Sequence, residues 1–132
     1  KTNLNFCDKY KSNFDAVLFG PPCFKFEIYE GEQQSINNYE TYTEWLNEYW
    51  KPTLKICAEV MKSGAKLGFV VRDYADYFGY NYLLSHDLNN IAEEIFGFGE
   101  LYKIKLTQMK TKRSPKKLAM GNYQTLCVYE KK

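Results

Sequence analysis

The residues best suited to chemistry in this chain lie in one short stretch, Gly20-Pro21-Pro22-Cys23-Phe24. It follows directly on the apolar run FDAVLF, residues 14 to 19. Two successive prolines cannot donate to a sheet ladder, so they stop that strand. A strand end is also where an open α/β sheet places its ligands. The same five residues also suit a plain turn after a strand. Cys23 could serve as a nucleophile, but His86 is the only imidazole in the chain, and it sits in a helix-cap region.

Other candidates are more dispersed. Arg72 and Asp73 close a second apolar run, KLGFVV, and could face a ligand or form a surface ion pair. Tyr74, Tyr77, Tyr80 and Tyr82 could stack on bases, or pack over the end of a sheet or at a protein interface. Lys110, Lys112, Arg113, Lys116 and Lys117 cluster in KTKRSPKKLAMGN, which could contact phosphates or form an ordinary exposed loop. Cys7, Cys23, Cys57 and Cys127 are scattered, with no C-x-x-C pair, and a single His cannot supply a Cys/His zinc set. No metal is expected. Reduced thiols point to an intracellular compartment, cytoplasmic or nuclear, rather than a secreted protein.

The chain that must position these groups has 132 residues, the size of one domain. Its hydrophobic share of 45% is enough for a real core. A formal net charge of +2 makes no case for nucleic acid by itself. No apolar run approaches the roughly 18 residues of a membrane span, and no signal peptide is visible. Lys1 in first position suggests an excised or partial piece.

Residues 1 to 13 read as a mixed amino-terminal segment with a short candidate strand at Leu4 to Cys7. FDAVLF shows no alternation, which predicts a strand buried on both faces. A long surface loop over residues 25 to 40 should follow. Thr41 and Glu44 match a capping box, and apolar residues from Tyr42 to Met61 recur at helical spacing. Pro52 lies inside that run and predicts a kink or break. Lys62-Ser-Gly64 should end the helix, and KLGFVV, residues 66 to 71, should be the second buried strand. Ser85 or Asp87 could cap a helix burying Leu88, Ile91, Ala92, Ile95 and Phe96, ended by Gly97 and Gly99. Leu101 to Met109 reads as a half-exposed strand and Tyr123 to Tyr129 as the last one. Strands alternating with helices indicate a parallel α/β sheet, with the last two strands as an antiparallel hairpin. Ligands in such sheets sit beyond the carboxyl ends of the parallel strands, where Gly20 to Phe24 and Arg72 to Tyr74 lie.

FDAVLFGPPCF resembles the strand and Asp/Asn/Ser-Pro-Pro-aromatic motif of S-adenosylmethionine-dependent amino methyltransferases. EGEQQSINNYETYTEWLNEYWKPT, MKSGAKLGFVVRDY and KRSPKKLAMGNYQTLCVYEKK resemble the following loop and helix, the next strand, and the terminal hairpin of the DNA adenine-N6 and cytosine-N4 branch. The resemblance runs from about Phe14 to the end. It implies half of a Rossmann-like class I methyltransferase sheet, with strands in the order 4-5-7-6 and FDAVLF as strand 4. It divides the chain into residues 1–13 and a methyltransferase-like carboxyl-terminal half, 14–132. An exocyclic amino nitrogen is a poor nucleophile because its lone pair is delocalised into the ring. Acceptors at its protons hold it near sp³ and stabilise the charge that develops. The resemblance assigns that role to the Pro21 carbonyl, makes Pro22 a stiffener and Phe24 the ring that stacks on a flipped base. It also implies S-adenosylmethionine as cofactor, with Asp8 near its adenine, and nucleic acid at Lys112, Arg113, Lys116 and Lys117.

Three departures qualify this. Gly20 stands where the motif has an acceptor side chain, and Cys23 stands where it has the aromatic. The cofactor loop, a Gly-x-Gly-type turn after a strand, is absent from this chain. Strand 4 should therefore show a bare edge where strand 1 normally pairs, to be covered by a partner polypeptide or a missing amino-terminal half. Two functions follow. One is part of a base-modifying (DNA methylation) enzyme, inactive alone. The other is an inactive methyltransferase-like pseudoenzyme, a structural or assembly subunit that docks through its open sheet edge.

Overall fold

A computed structural model describes residues 4–22, 24, 38–76, 78–105 and 123–132. Four strands form one mixed sheet: β1 (Phe14–Phe19), β2 (Met61–Val71), β5 (Glu100–Lys105) and β6 (Tyr123–Glu130). Their spatial order is β1-β2-β6-β5, with β1 parallel to β2 and the other neighbours antiparallel. That is the expected 4-5-7-6 arrangement, including the closing hairpin. A short second hairpin, β3 (Tyr74–Ala75) with β4 (Asn81–Tyr82), follows β2.

Helices cover one face of the large sheet. α2 (Tyr42–Trp45) starts at Thr41, whose Oγ1 accepts the Glu44 N–H at 3.1 Å. The Glu44 carboxylate accepts in return from the Glu40 N–H at 3.0 Å. A π-helical turn, Leu46–Trp50, joins α2 to α3 (Lys51–Val60). Pro52 explains it. Proline has no N–H, and its ring would strike the carbonyl four residues back in a regular helix. In the wider turn the Lys51 N–H reaches Leu46 O, five residues back. The widening also brings Trp45 and Trp50, five apart, to the same buried side.

α4 (Leu84–Phe96) buries Leu88, Ala92 and Phe96, with Ile91 and Ile95 partly covered. Trp50 ties the two helical layers together. Its indole N–H donates to Leu88 O at 3.2 Å, and its ring meets Phe69 of β2 edge-on with centroids 4.8 Å apart.

Several expectations are corrected. Leu4–Tyr10 is a helix, α1, and not a strand. Phe6 and Tyr10, one helical turn apart, put their rings 4.9 Å apart, and Cys7 is buried. Ser12, at φ +49°, ends the helix, and the Ser12 and Asn13 N–H groups dock on Glu59 O and Val60 O. β2 starts at Met61, earlier than expected, because residues 62–65 bulge out of register: Phe14 faces Met61 while Ala16 faces Lys66. Gly64 makes that bulge at φ +82°, and its N–H donates to Lys131 O.

β1 is not buried on both faces. Val17 and Phe19 pack on the core, but Leu18, on the opposite face, is 73% exposed. The described residues place helices on one face only. β5, expected to be half-exposed, is exposed along all of Glu100–Lys105, as befits an edge strand. The far end of that expected strand and the basic loop, with Lys112, Arg113, Lys116 and Lys117, lie outside the described residues. Among the described residues no helix is long and apolar enough to cross a membrane.

Candidate active site

Parallel β1 and β2 end side by side, with Phe19 paired to Phe69. Beyond that end come Gly20, exposed, then Pro21, buried, and Pro22, half-buried. So the prolines stand where an α/β sheet presents ligand-binding groups. Among the described residues, a Cβ built on Gly20 would have Val70 O at 3.9 Å as its nearest neighbour, and the backbone there has no conformation that demands glycine. Cys23 lies outside the described residues.

Phe24 departs from the stacking role expected of it. Its ring is 2% exposed. Tyr42, Trp45 and Tyr82 surround it, with centroids 5.8, 6.1 and 5.9 Å away. Phe24 pins the end of the proline loop to the helical layer and turns its ring into the core.

The second strand end is organised by three carboxylates. Asp73 lies just past β2, and its Oδ1 accepts the Ser85 N–H while its Oδ2 accepts the Ser85 hydroxyl, each at 2.8 Å. This caps α4 from outside, since Leu83 at the N-cap makes no side-chain cap bond. The local cap expected at Ser85 or Asp87 is thus replaced: Ser85 lies within the first turn and receives a remote cap. Asp87 instead accepts the Tyr42 hydroxyl at 2.8 Å. Burial, and then this carboxylate, drives the Tyr42 phenol well above its usual pKa, so it stays protonated and donates. Asp76 organises the β3–β4 turn, and Tyr82 O–H points at it from 3.4 Å. Burial first and Asp76 second also raise the Tyr82 phenol.

Among the expected stacking tyrosines, Tyr74 and Tyr82 are buried and stack on each other at 4.9 Å, whereas Tyr80 is exposed. Tyr77 is outside the described residues. Asp8 is exposed on α1, which leads into the amino end of β1, opposite Gly20. It is not among the groups gathered at the strand ends. Sequence reading missed the Asp73–Ser85 and Tyr42–Asp87 pairs. The one available signal was Asp73, a carboxylate at a strand end ahead of the next helix.

The described residues do not form a cradle for S-adenosylmethionine. No Gly-x-Gly turn follows either parallel strand in the sequence, and the outer edge of β1 has no strand neighbour among the described residues.

No protein-family model and no curated protein matches the chain. Solved structures of a candidate DNA modification methylase from Thermus thermophilus do match in fold. A selenomethionine form has a TM-score of 0.60 at 15% identity, covering 96% of this chain and 49% of that one. A form complexed with S-adenosyl-L-methionine has a TM-score of 0.55 at 15% identity, covering 96% and 52%. A third has a TM-score of 0.54 at 16% identity, covering 96% and 50%. The chain spans about half the length of the structures it matches. It has a methyltransferase-like fold, the part of it built on strands in the order 4-5-7-6.

Proposed function

We propose that this chain is the amino-acceptor half of an S-adenosylmethionine-dependent methyltransferase acting on an exocyclic amino group of a nucleic-acid base. The observation that carries the reading is Gly20-Pro21-Pro22 at the carboxyl end of β1, beside the carboxyl end of β2. The Pro21 carbonyl is the acceptor for an amino N–H, and Pro22 holds the loop stiff. Such an acceptor stabilises the positive charge that develops on nitrogen. The cofactor, which supplies the methyl group, belongs to a further polypeptide region and not to the residues described here. The basic residues Lys112, Arg113, Lys116 and Lys117 are assigned to phosphate contact, and the compartment is intracellular.

That further region, a missing half or a partner polypeptide, also completes the sheet. The free edge of β1 is one docking line. The face beside it is the other: Leu18 is exposed there, in register with Gly68 and Val128, and Val70 and Leu126, half-buried, form the next row on the side without helices.

A second reading is an inactive subunit that docks through this same surface. Gly20, which supplies no acceptor, and the inward Phe24 ring favour it. The two separate on one experiment: the chain is prepared with its cofactor-binding half and mixed with a methyl-labelled donor and oligonucleotides. Label on an amino nitrogen establishes the enzyme. Assembly without label, and without calorimetric binding of the donor, establishes the structural subunit.

A further inference from the structure

The β3–β4 turn shows two large rings to solvent. Phe78 is 98% exposed and Tyr80 57%. Neither contributes its bulk to the core, and a bare Phe at a turn tip needs a reason. Asp76 ties together the described residues of the turn. Asp76 Oδ1 accepts the Phe78 and Tyr80 N–H groups, both at 2.9 Å. The Asp76 N–H donates to Tyr80 O at 2.9 Å, and the Gly79 N–H returns to Asp76 O at 3.1 Å. Gly79 takes φ +84°, which glycine adopts freely, and this lets the turn close. These bonds fix the backbone positions from which the Phe78 and Tyr80 side chains project.

Location narrows the ligand. The turn follows β2 at the carboxyl end of the sheet, the same end as Gly20–Pro22. Tyr80 packs on Tyr82 at 4.7 Å, and Tyr82 packs on Phe24 at 5.9 Å. A line of rings thus links Tyr80 to Phe24 at the proline loop. Two rings fall well short of the ~800 Å² per partner that a stable protein interface uses. A single flat aromatic ligand matches their size.

We propose that Phe78 and Tyr80 form a nucleobase-stacking tip beside the amino-acceptor site, holding a base next to the one to be modified. The proposal rests on the methyltransferase reading for its choice of ligand. Base–ring stacks are sequence-tolerant, and loss of one lowers affinity about 5- to 150-fold.

The test uses the full chain with fluorescent single-stranded and duplex oligonucleotides, one set carrying 5-iodouracil for photocrosslinking. Phe78→Ala and Tyr80→Ala should each weaken single-strand binding about tenfold. Tyr80→Phe should bind like the parent, Phe78→Leu should not, and crosslinks should map to residues 78 and 80. Unchanged binding in both alanine variants, with crosslinks elsewhere, overturns the stacking tip and leaves the methyltransferase reading standing. No binding of any oligonucleotide by the parent overturns the stacking tip, while the methyltransferase reading still turns on label transfer by the completed protein. Full binding by Phe78→Leu, or loss of a protein association in the alanine variants, marks a general apolar contact and also overturns it. Both rings are exposed, so circular dichroism should show every variant folded.

Discussion

Asp73 and Ser85 are joined twice, by a carboxylate–amide and a carboxylate–hydroxyl bond of 2.8 Å each, across the gap between β2 and α4. One residue thereby fixes the strand end that faces the candidate site and the start of the helix behind it. Asp73→Ala should cost about 1–2 kcal/mol of stability, the upper range of a lost helix cap. Asp73→Asn keeps an oxygen for the amide and should cost less than half as much. Urea unfolding followed by circular dichroism measures both. Equal stability of all three proteins would show that the cap does not hold α4.

Gly20 and Gly99 should respond oppositely to a side chain. Among the described residues the nearest atom to a new Cβ at Gly20 is 3.9 Å away, so Gly20→Asn and Gly20→Asp should fold within about 0.5 kcal/mol of the parent. At Gly99 a Cβ would come within 2.4 Å of Tyr129 Cε1 and 2.8 Å of Val128 O. Gly99→Ala should therefore cost about 1–3 kcal/mol through overpacking. If the proposed reaction holds, Gly20→Asp also supplies the acceptor that the motif lacks. Methyl transfer in the completed protein should then rise about 10²-fold, the usual worth of one oriented group. Thermal unfolding and label incorporation test the two effects independently.

Much of this was legible in the sequence because the signals are local. Apolar runs ended by Gly20-Pro21-Pro22 and by Arg72-Asp73 mark the two parallel strands, and the Thr41 cap and Pro52 break lie within one helix. What failed depends on distant partners. FDAVLF reads as doubly buried, yet Leu18 is bare, because nothing in a run of apolar residues says which layers cover it. Phe24 turns inward only because Tyr42, Trp45 and Tyr82, far along the chain, close around it. Asp73 caps a helix from outside it, which no N-cap pattern reports. Leu4 to Cys7 was too short to tell strand from helix, and packing on α3 decides it.

Cys57 and Cys127 give the fold an alkaline limit. Burial pushes both thiols up to about 11. Unfolded thiols ionise near pH 8.5. Below that pH both states hold the proton and the full stability is present. Between about 8.5 and 11 only the unfolded state loses it, so stability should fall as pH rises. Cys127→Ala should flatten part of that slope. At pH 8 a thiol reagent should label Cys57 and Cys127 only after denaturant is added, as read by peptide mass spectrometry. Fast labelling of either in the native protein contradicts their burial.

Leu18 separates an unfinished sheet from a finished one. It is 73% exposed near the carboxyl end of β1, whose outer edge has no neighbour among the described residues. A leucine there adds little to the stability of this chain, so Leu18→Lys should change unfolding by less than about 0.5 kcal/mol. It should nevertheless change behaviour in solution. Open edges beside apolar faces self-associate, and an edge lysine blocks that pairing. The parent chain alone should therefore sediment as a concentration-dependent mixture and the lysine variant as a monomer. The same substitution should abolish assembly with the region that completes the sheet. A parent chain that stays monomeric at high concentration, with Leu18→Lys unfolding early, would mean that Leu18 is already covered and that β1 is no docking edge.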